Sequence, residues 1–225
     1  MLDGRPLVSY IIDALLACDT IGRITISGTQ KELAGIELPA GVQIVEASGT
    51  MLDNTLAAIR ATNASKPVLF VTDDVPLLTA EAVADFLQKI KDQDADVFYP
   101  IIPKSACLRD FPSGKRTYVT LKDGIFTGGN ILLVNPEVVA NCKAVAEQVF
   151  AKRKYPWKLC SWLGWSFVLK FLLHRLEVKD VEARASQLLG FRGKAVVTEF
   201  AEIGMDVDKE ADWHLIETCL YTETG

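Results

Sequence analysis

The run Val68-Leu69-Phe70-Val71-Thr72 passes without a break into Asp73-Asp74-Val75-Pro76-Leu77, and Thr79 then opens a segment with helical periodicity. Apolar, β-branched residues in a short continuous run predict a strand buried on both faces. Two carboxylates cannot share that interior, so the chain must leave the sheet at Asp73. Strand, acidic turn and capped helix in this order define an α/β unit. The acidic turn falls at the carboxyl edge of the sheet, where such folds bind ligands. A second apolar run, Ile203-Gly204-Met205, ends in Asp206-Val207-Asp208 and is read as a second strand end. Each motif alone also reads as turn chemistry, because Asp and Pro favour turns and Asp208 suits the N-cap of a last helix. Brought together, the carboxylates would form a hard oxygen cage suited to Mg²⁺.

The remaining pattern extends this unit. Leu7, Val8, Ile11, Ile12, Leu15 and Leu16 lie at helical spacing after Pro6, a natural first-turn residue. Strands are predicted at 24–28, 42–45, 96–102, 130–134 and 196–198. A hairpin with Asp-Gly turn chemistry is predicted over 117–126. Helices are predicted at 53–61, with Asp53 or Asn54 as cap, at 79–90, 137–151 and 157–190, and from Asp212 to Tyr221. Strands alternating with helices predict a three-layer α/β domain with a mostly parallel mixed sheet of Rossmann-like type. No linker or repeat divides the chain, so residues 1–225 are read as one domain with a basic helical insertion near 142–190.

Composition excludes several alternatives. A hydrophobic fraction of 49% supplies a sizeable core, and a net charge of −5 gives no support for nucleic-acid binding. The charge is uneven: the segment from Lys143 to Leu176 carries +6, which leaves −11 for the remainder. Its basic, Trp-containing stretch could lie on a membrane surface or meet an anionic ligand. A helical insertion with solvated lysines is the favoured reading. Five scattered cysteines with no CxxC argue for free thiols and a cytoplasmic setting rather than disulfides or zinc. Two histidines without matching context leave no Ser-His-Asp or Cys-His arrangement.

Three segments carry a resemblance. Val71-Thr72-Asp73-Asp74-Val75-Pro76-Leu77-Leu78, Phe126-Thr127-Gly128-Gly129-Asn130-Ile131-Leu132-Leu133-Val134 and Gly204-Met205-Asp206-Val207-Asp208-Lys209-Glu210-Ala211-Asp212-Trp213 resemble the molybdenum-cofactor guanylyltransferase-like NTP transferases. These are nucleotidyltransferases of glycosyltransferase-A-like fold. Gly4-Arg5-Pro6-Leu7-Val8 resembles the element that follows the family's nucleotide loop.

The resemblance implies Mg²⁺ held by Asp74 and Asp208, with Asp73 and Asp206 as neighbours. It implies an acceptor cradle at Gly128, Gly129 and Asn130. It loosely implies a base contact at Asn54, which also reads as a helix cap. Lys115 or Arg116 could offset negative charge developing at the acceptor, or could be a solvated turn. The implied reaction transfers an NMP from an NTP to a phosphorylated cofactor or sugar, with release of pyrophosphate. A non-catalytic binding module and a related glycosyltransferase remain alternatives. The base is open, as is the acceptor: molybdopterin, a sugar phosphate or a polyol phosphate.

The family's first strand and glycine-rich, cationic loop have no counterpart in the chain, which opens at Met1-Leu2-Asp3-Gly4. Three expectations follow. Asp74 and Asp208 should meet at one sheet edge. The position beside strand 68–72 should be open. The 225-residue chain alone should transfer poorly.

Overall fold

In the computed structural model, residues 1–2, 4–62, 64–138 and 163–223 are described. Pro6 caps helix α1 (Leu7–Leu16), which buries Ile11 and Ile12. Strand β1 (Thr25–Gly28) leads through the one-turn helix α2 (Gln30–Leu33) to β2 (Gln43–Glu46), and helix α3 (Met51–Thr62) follows. Strand β3 (Val68–Val71) ends at the acidic turn. Helix α4 (Ala80–Ile90) begins where expected, because the Thr79 hydroxyl accepts from the Ala82 amide. Ala82, Val83, Phe86 and Ile90 form its buried stripe.

Strand β4 (Val97–Pro103), helix α5 (Lys104–Asp110), the hairpin β5 (Val119–Leu121) and β6 (Gly124–Gly128), and β7 (Ile131–Val134) come next. Helix α6 (Trp165–Leu172), helix α7 (Val178–Leu189), strand β8 (Gly193–Val197), a 3₁₀ turn over Ala201–Gly204 and helix α8 (Glu210–Glu223) complete the order.

Two sheets result. Strands β1 and β2 pair in parallel. The six-stranded sheet runs β3-β7-β4-β6-β5, with β8 beside β4. The sheet departs from the mostly parallel expectation: within it only β4–β8 is a parallel pair. Strand β7 lies between β3 and β4 and opposes both. β3, β4, β5 and β8 therefore run one way, while β6 and β7 run back between them. Period-2 patterning cannot register such a reversal, since it records which face is buried and not strand direction.

Among the described residues β3 pairs with β7 alone, and β1 with β2 alone. Every residue of β1 and of β3 lines one cavity of about 2560 Å³, together with Ile11 and Leu15 of α1, Ile59 of α3 and Leu87 of α4. The main core is built around Val75, Phe86, Phe98, Ile102 and Ile203, and Ile11 and Phe98 belong both to it and to the cavity lining.

Two further expectations are corrected. The helix predicted over 157–190 is broken in its described part between α6 and α7, where His174 takes φ 53°. Residues 139–151 of the helix predicted at 137–151, and the basic stretch 152–158, lie outside the described residues. The second acidic motif follows a 3₁₀ turn rather than a strand. On α6, Trp165, Leu169 and Leu172 face outward. Among the described residues no helix is long and apolar enough to cross a membrane, and Cys18 and Cys107 are free thiols.

Candidate active site

Buried anchors place the carboxylates. Val75, Ile203 and Met205 are buried, so the chain on either side of each is held against the core. Their polar neighbours Asp74, Asp206 and Asp208 are thereby turned out of it. The two acidic segments are tied directly, with the Val207 amide donating to the Asp74 carbonyl at 2.9 Å. Thr79 adds a second tie by donating to Glu202 at 3.0 Å. One ligand oxygen each from Asp74, Asp206 and Asp208 lie within 4.8 Å of one another.

The glycine segment joins the same edge. The Asn130 carbonyl accepts from the Thr72 amide at 3.1 Å, and the Asn130 amide donates to the Ile203 carbonyl at 2.9 Å. The Gly129 amide donates to the Pro100 carbonyl at 3.0 Å. One residue thus links the end of β3 to the 3₁₀ turn. Close approach is what requires glycine at this point. A Cβ on Gly129 would stand 2.6 Å from Ile203 Cγ2 and 2.8 Å from Pro100 Cγ.

Asn54 is neither the helix cap nor free. Its side-chain oxygen accepts from the Ser48 and Gly49 amides, both at 3.1 Å, and shapes the loop after β2. The capping role belongs to Thr50, whose hydroxyl accepts from the Asp53 amide at 3.2 Å. Arg116 is no solvated turn residue: it forms a mostly buried ion pair with Asp206. Lys115 is not part of that pair.

The electrostatics of the cluster follow from this packing. Burial pushes the Asp74 carboxyl above the usual range, and the neighbouring charges of Asp206 and Asp73 push it further. The Thr72 hydroxyl opposes them by donating to Asp74 at 2.5 Å. A half-buried acid raised by other acids carries charge that a cation can neutralise. Three carboxylates offer the oxygen donors Mg²⁺ prefers. The residues present therefore fit a divalent ion, and Asp74 and Asp208 with Asp206 would hold it.

The role of Thr72 and the pairing of Arg116 with Asp206 were not legible beforehand, although Arg116 and Asp206 were each named for the site. The signal for Thr72 was adjacency to Asp74. The partner of Arg116 lies 90 residues away, beyond the reach of any local pattern.

Residues 1–159 match the MobA-like NTP transferase domain, and the chain belongs to that family. A hypothetical transferase from Thermus thermophilus of known structure is 38% identical, over 95% of this chain and 88% of that one, with a TM-score of 0.84. Two more distant structures share the fold. The CMP:2-keto-3-deoxy-manno-octonic acid synthetase complexed with CTP is 13% identical, over 99% of this chain and 90% of that one, at a TM-score of 0.63. The 4-diphosphocytidyl-2C-methyl-D-erythritol synthase of Anaerococcus prevotii DSM 20548 is 12% identical, over 98% and 88%, at 0.60. No protein of curated function matched the sequence.

Proposed function

We propose that this protein is a Mg²⁺-dependent nucleotidyltransferase that moves an NMP from an NTP to a small phosphorylated acceptor. The observation that carries this reading is the carboxylate cluster beside a cavity lined by two polar loops. The Ser48–Asn54 loop follows β2 and the Gly128–Asn130 segment borders β7, and Ser48, Gly49, Asn54, Gly129 and Asn130 all line the cavity that reaches Thr72 and Asp73. Two substrates can therefore meet beside the acidic turn. The first loop faces the nucleotide and the second the acceptor.

In the reaction an oxygen of the acceptor phosphate bonds to the α-phosphorus. The bond from that phosphorus to the bridging oxygen of the β-phosphate breaks, and pyrophosphate departs with the electron pair. An acceptor phosphate is already ionised near neutral pH, so no general base is required. Positioning and charge neutralisation carry the catalysis. A bound divalent ion supplies neutralisation of the phosphate oxygens. Asp74 and Asp208 would hold that ion at the sheet edge, where the Thr72 hydroxyl fixes the Asp74 carboxylate and Arg116 fixes Asp206. Asn54 keeps the Ser48–Gly49 loop in place.

Pyrophosphate release is the test, with Mg²⁺ and a panel of NTPs against sugar and polyol phosphates. CTP enters the panel because one structure of this fold was solved with it. The assay is run on this chain and on a form extended through any in-frame upstream codons. Release in at least one pairing is expected. Asp74→Ala should lower it by roughly 10²–10³, the scale of losing one preorganised electrostatic group. Absence of release in every pairing, or full activity in Asp74→Ala, would overturn the reading.

A further inference from the structure

Tyr99 lies on β4, and nothing above gives it a role. Its side chain is 41% exposed, unlike those of its neighbours Phe98 and Pro100. The ring leans across to the β6 terminus: a Cβ built on Gly128 would sit 2.1 Å from the Tyr99 hydroxyl and 2.9 Å from Cζ. Gly128 is thus glycine because the phenol occupies the place of its side chain. Among the described residues the hydroxyl makes no hydrogen bond, and it lies within the fields of Arg116 and Asp206. Partial burial raises the phenol above its ordinary value, so it remains a protonated donor at neutral pH.

A second observation is independent of the first. Tyr99, Gly129 and Asn130 all line the cavity that also reaches Thr72 and Asp73. An exposed, unpartnered phenol donor beside a glycine cradle calls for a ligand rich in oxygen acceptors.

We propose that Tyr99 is an acceptor-binding residue that holds the oxygens of a sugar or polyol phosphate over Gly128. The exposed ring face offers a flat apolar surface to the C–H groups of such a molecule, while the hydroxyl donates to its oxygens. This assignment rests on the nucleotidyltransferase reading for the name of the ligand, not for the site.

The test is binding without NTP, by calorimetry, on the intact chain. The probes are glucose 1-phosphate, glycerol 3-phosphate, inorganic phosphate and unphosphorylated glucose. Glucose 1-phosphate or glycerol 3-phosphate should bind more tightly than inorganic phosphate or glucose alone. Tyr99→Phe should weaken that binding about three- to tenfold, the scale of one hydrogen bond. Mg²⁺ affinity and melting temperature should not change. Tyr118→Phe, which removes a buried hydroxyl that does not line the cavity, should leave binding unchanged. Gly128→Ala should reproduce the Tyr99→Phe loss and add little to it in the double variant.

Equal affinity of Tyr99→Phe and wild type for every probe overturns the assignment. So does absence of binding to the wild type at about 10 mM of each phosphorylated probe, a concentration that would reveal even weak sites. Binding that depends on Tyr99, without transfer from any NTP, would leave the site standing and remove the enzymatic reading instead.

Discussion

Gly129 shows how a single residue can hold the site together. Because its missing Cβ would stand 2.6 Å from Ile203 and 2.8 Å from Pro100, Gly129→Ala should cost roughly 1–3 kcal/mol, the range for overpacking. Urea denaturation checks this, and a loss below that range would mean that the 3₁₀ turn yields easily. Asp74 carries the opposite kind of strain. Its acid is raised in the folded state, so the native protein holds that proton more tightly than the unfolded chain does. The stability it contributes is complete at low pH and is lost as pH rises through the raised value. Without divalent ions, Asp74→Asn should therefore melt above the wild type at neutral pH. Added Mg²⁺ should raise the wild-type melting temperature and leave the variant unmoved. A variant that melts lower under both conditions would contradict this account.

The carboxylates were legible in the sequence because each follows an apolar run with a buried anchor. The Arg116–Asp206 pair and the Tyr99–Gly128 contact were not, because both are made between segments far apart in the chain. Asn54 shows a third case: an amide near a helix start suggested a cap, and in the fold it braces the preceding loop.

Among elements, α4 was read correctly at both ends, since an N-cap threonine and a 3.6-residue stripe are local signals. Thr79→Ala should cost about 1 kcal/mol by loss of the cap, as measured by the shift in denaturation midpoint. The β5–β6 hairpin was also legible, but its docking was not. Lys122 pairs with Glu177 at the head of α7, and the Val178 amide donates to Asp123 at 3.0 Å. The hydrogen bonds from Lys122 and then Lys179 hold the Glu177 carboxyl down at about 2. A depressed acid contributes stability above its unfolded value, and this contribution is lost as pH falls through about 2. Lys122→Ala should move the Glu177 titration, followed by NMR, back toward the ordinary carboxylate range. An unmoved titration would assign the depression to Lys179 alone. Strand direction was the main misreading: burial of β7 on both sides of its ladder looks the same whichever way the strand runs.

For the whole molecule, the consequential feature is the cavity between β1 and β3. Each of these strands presents one unpaired edge to it, whereas β4 is paired on both sides. Amide hydrogen exchange should therefore be faster in β1 and β3 than in β4. The region from β1 to α3 should open before the six-stranded sheet does. Unpaired edges also recruit other strands, so the chain should associate as its concentration rises. Uniform protection across all eight strands in a stable monomer would count against both expectations.

The Arg116–Asp206 pair finally sets a charge balance. Three carboxylates and one guanidinium, all ionised, give the cluster two negative charges in excess. On the proposed metal-binding reading one divalent ion would neutralise that excess, while a monovalent ion would leave part of it and a trivalent ion would overshoot. The arginine would then act as an internal valence selector. Removing it in Arg116→Ala should shift preference from Mn²⁺ toward Tb³⁺, readable by competition titration. An unchanged ratio would show that the guanidinium takes no part in choosing the ion.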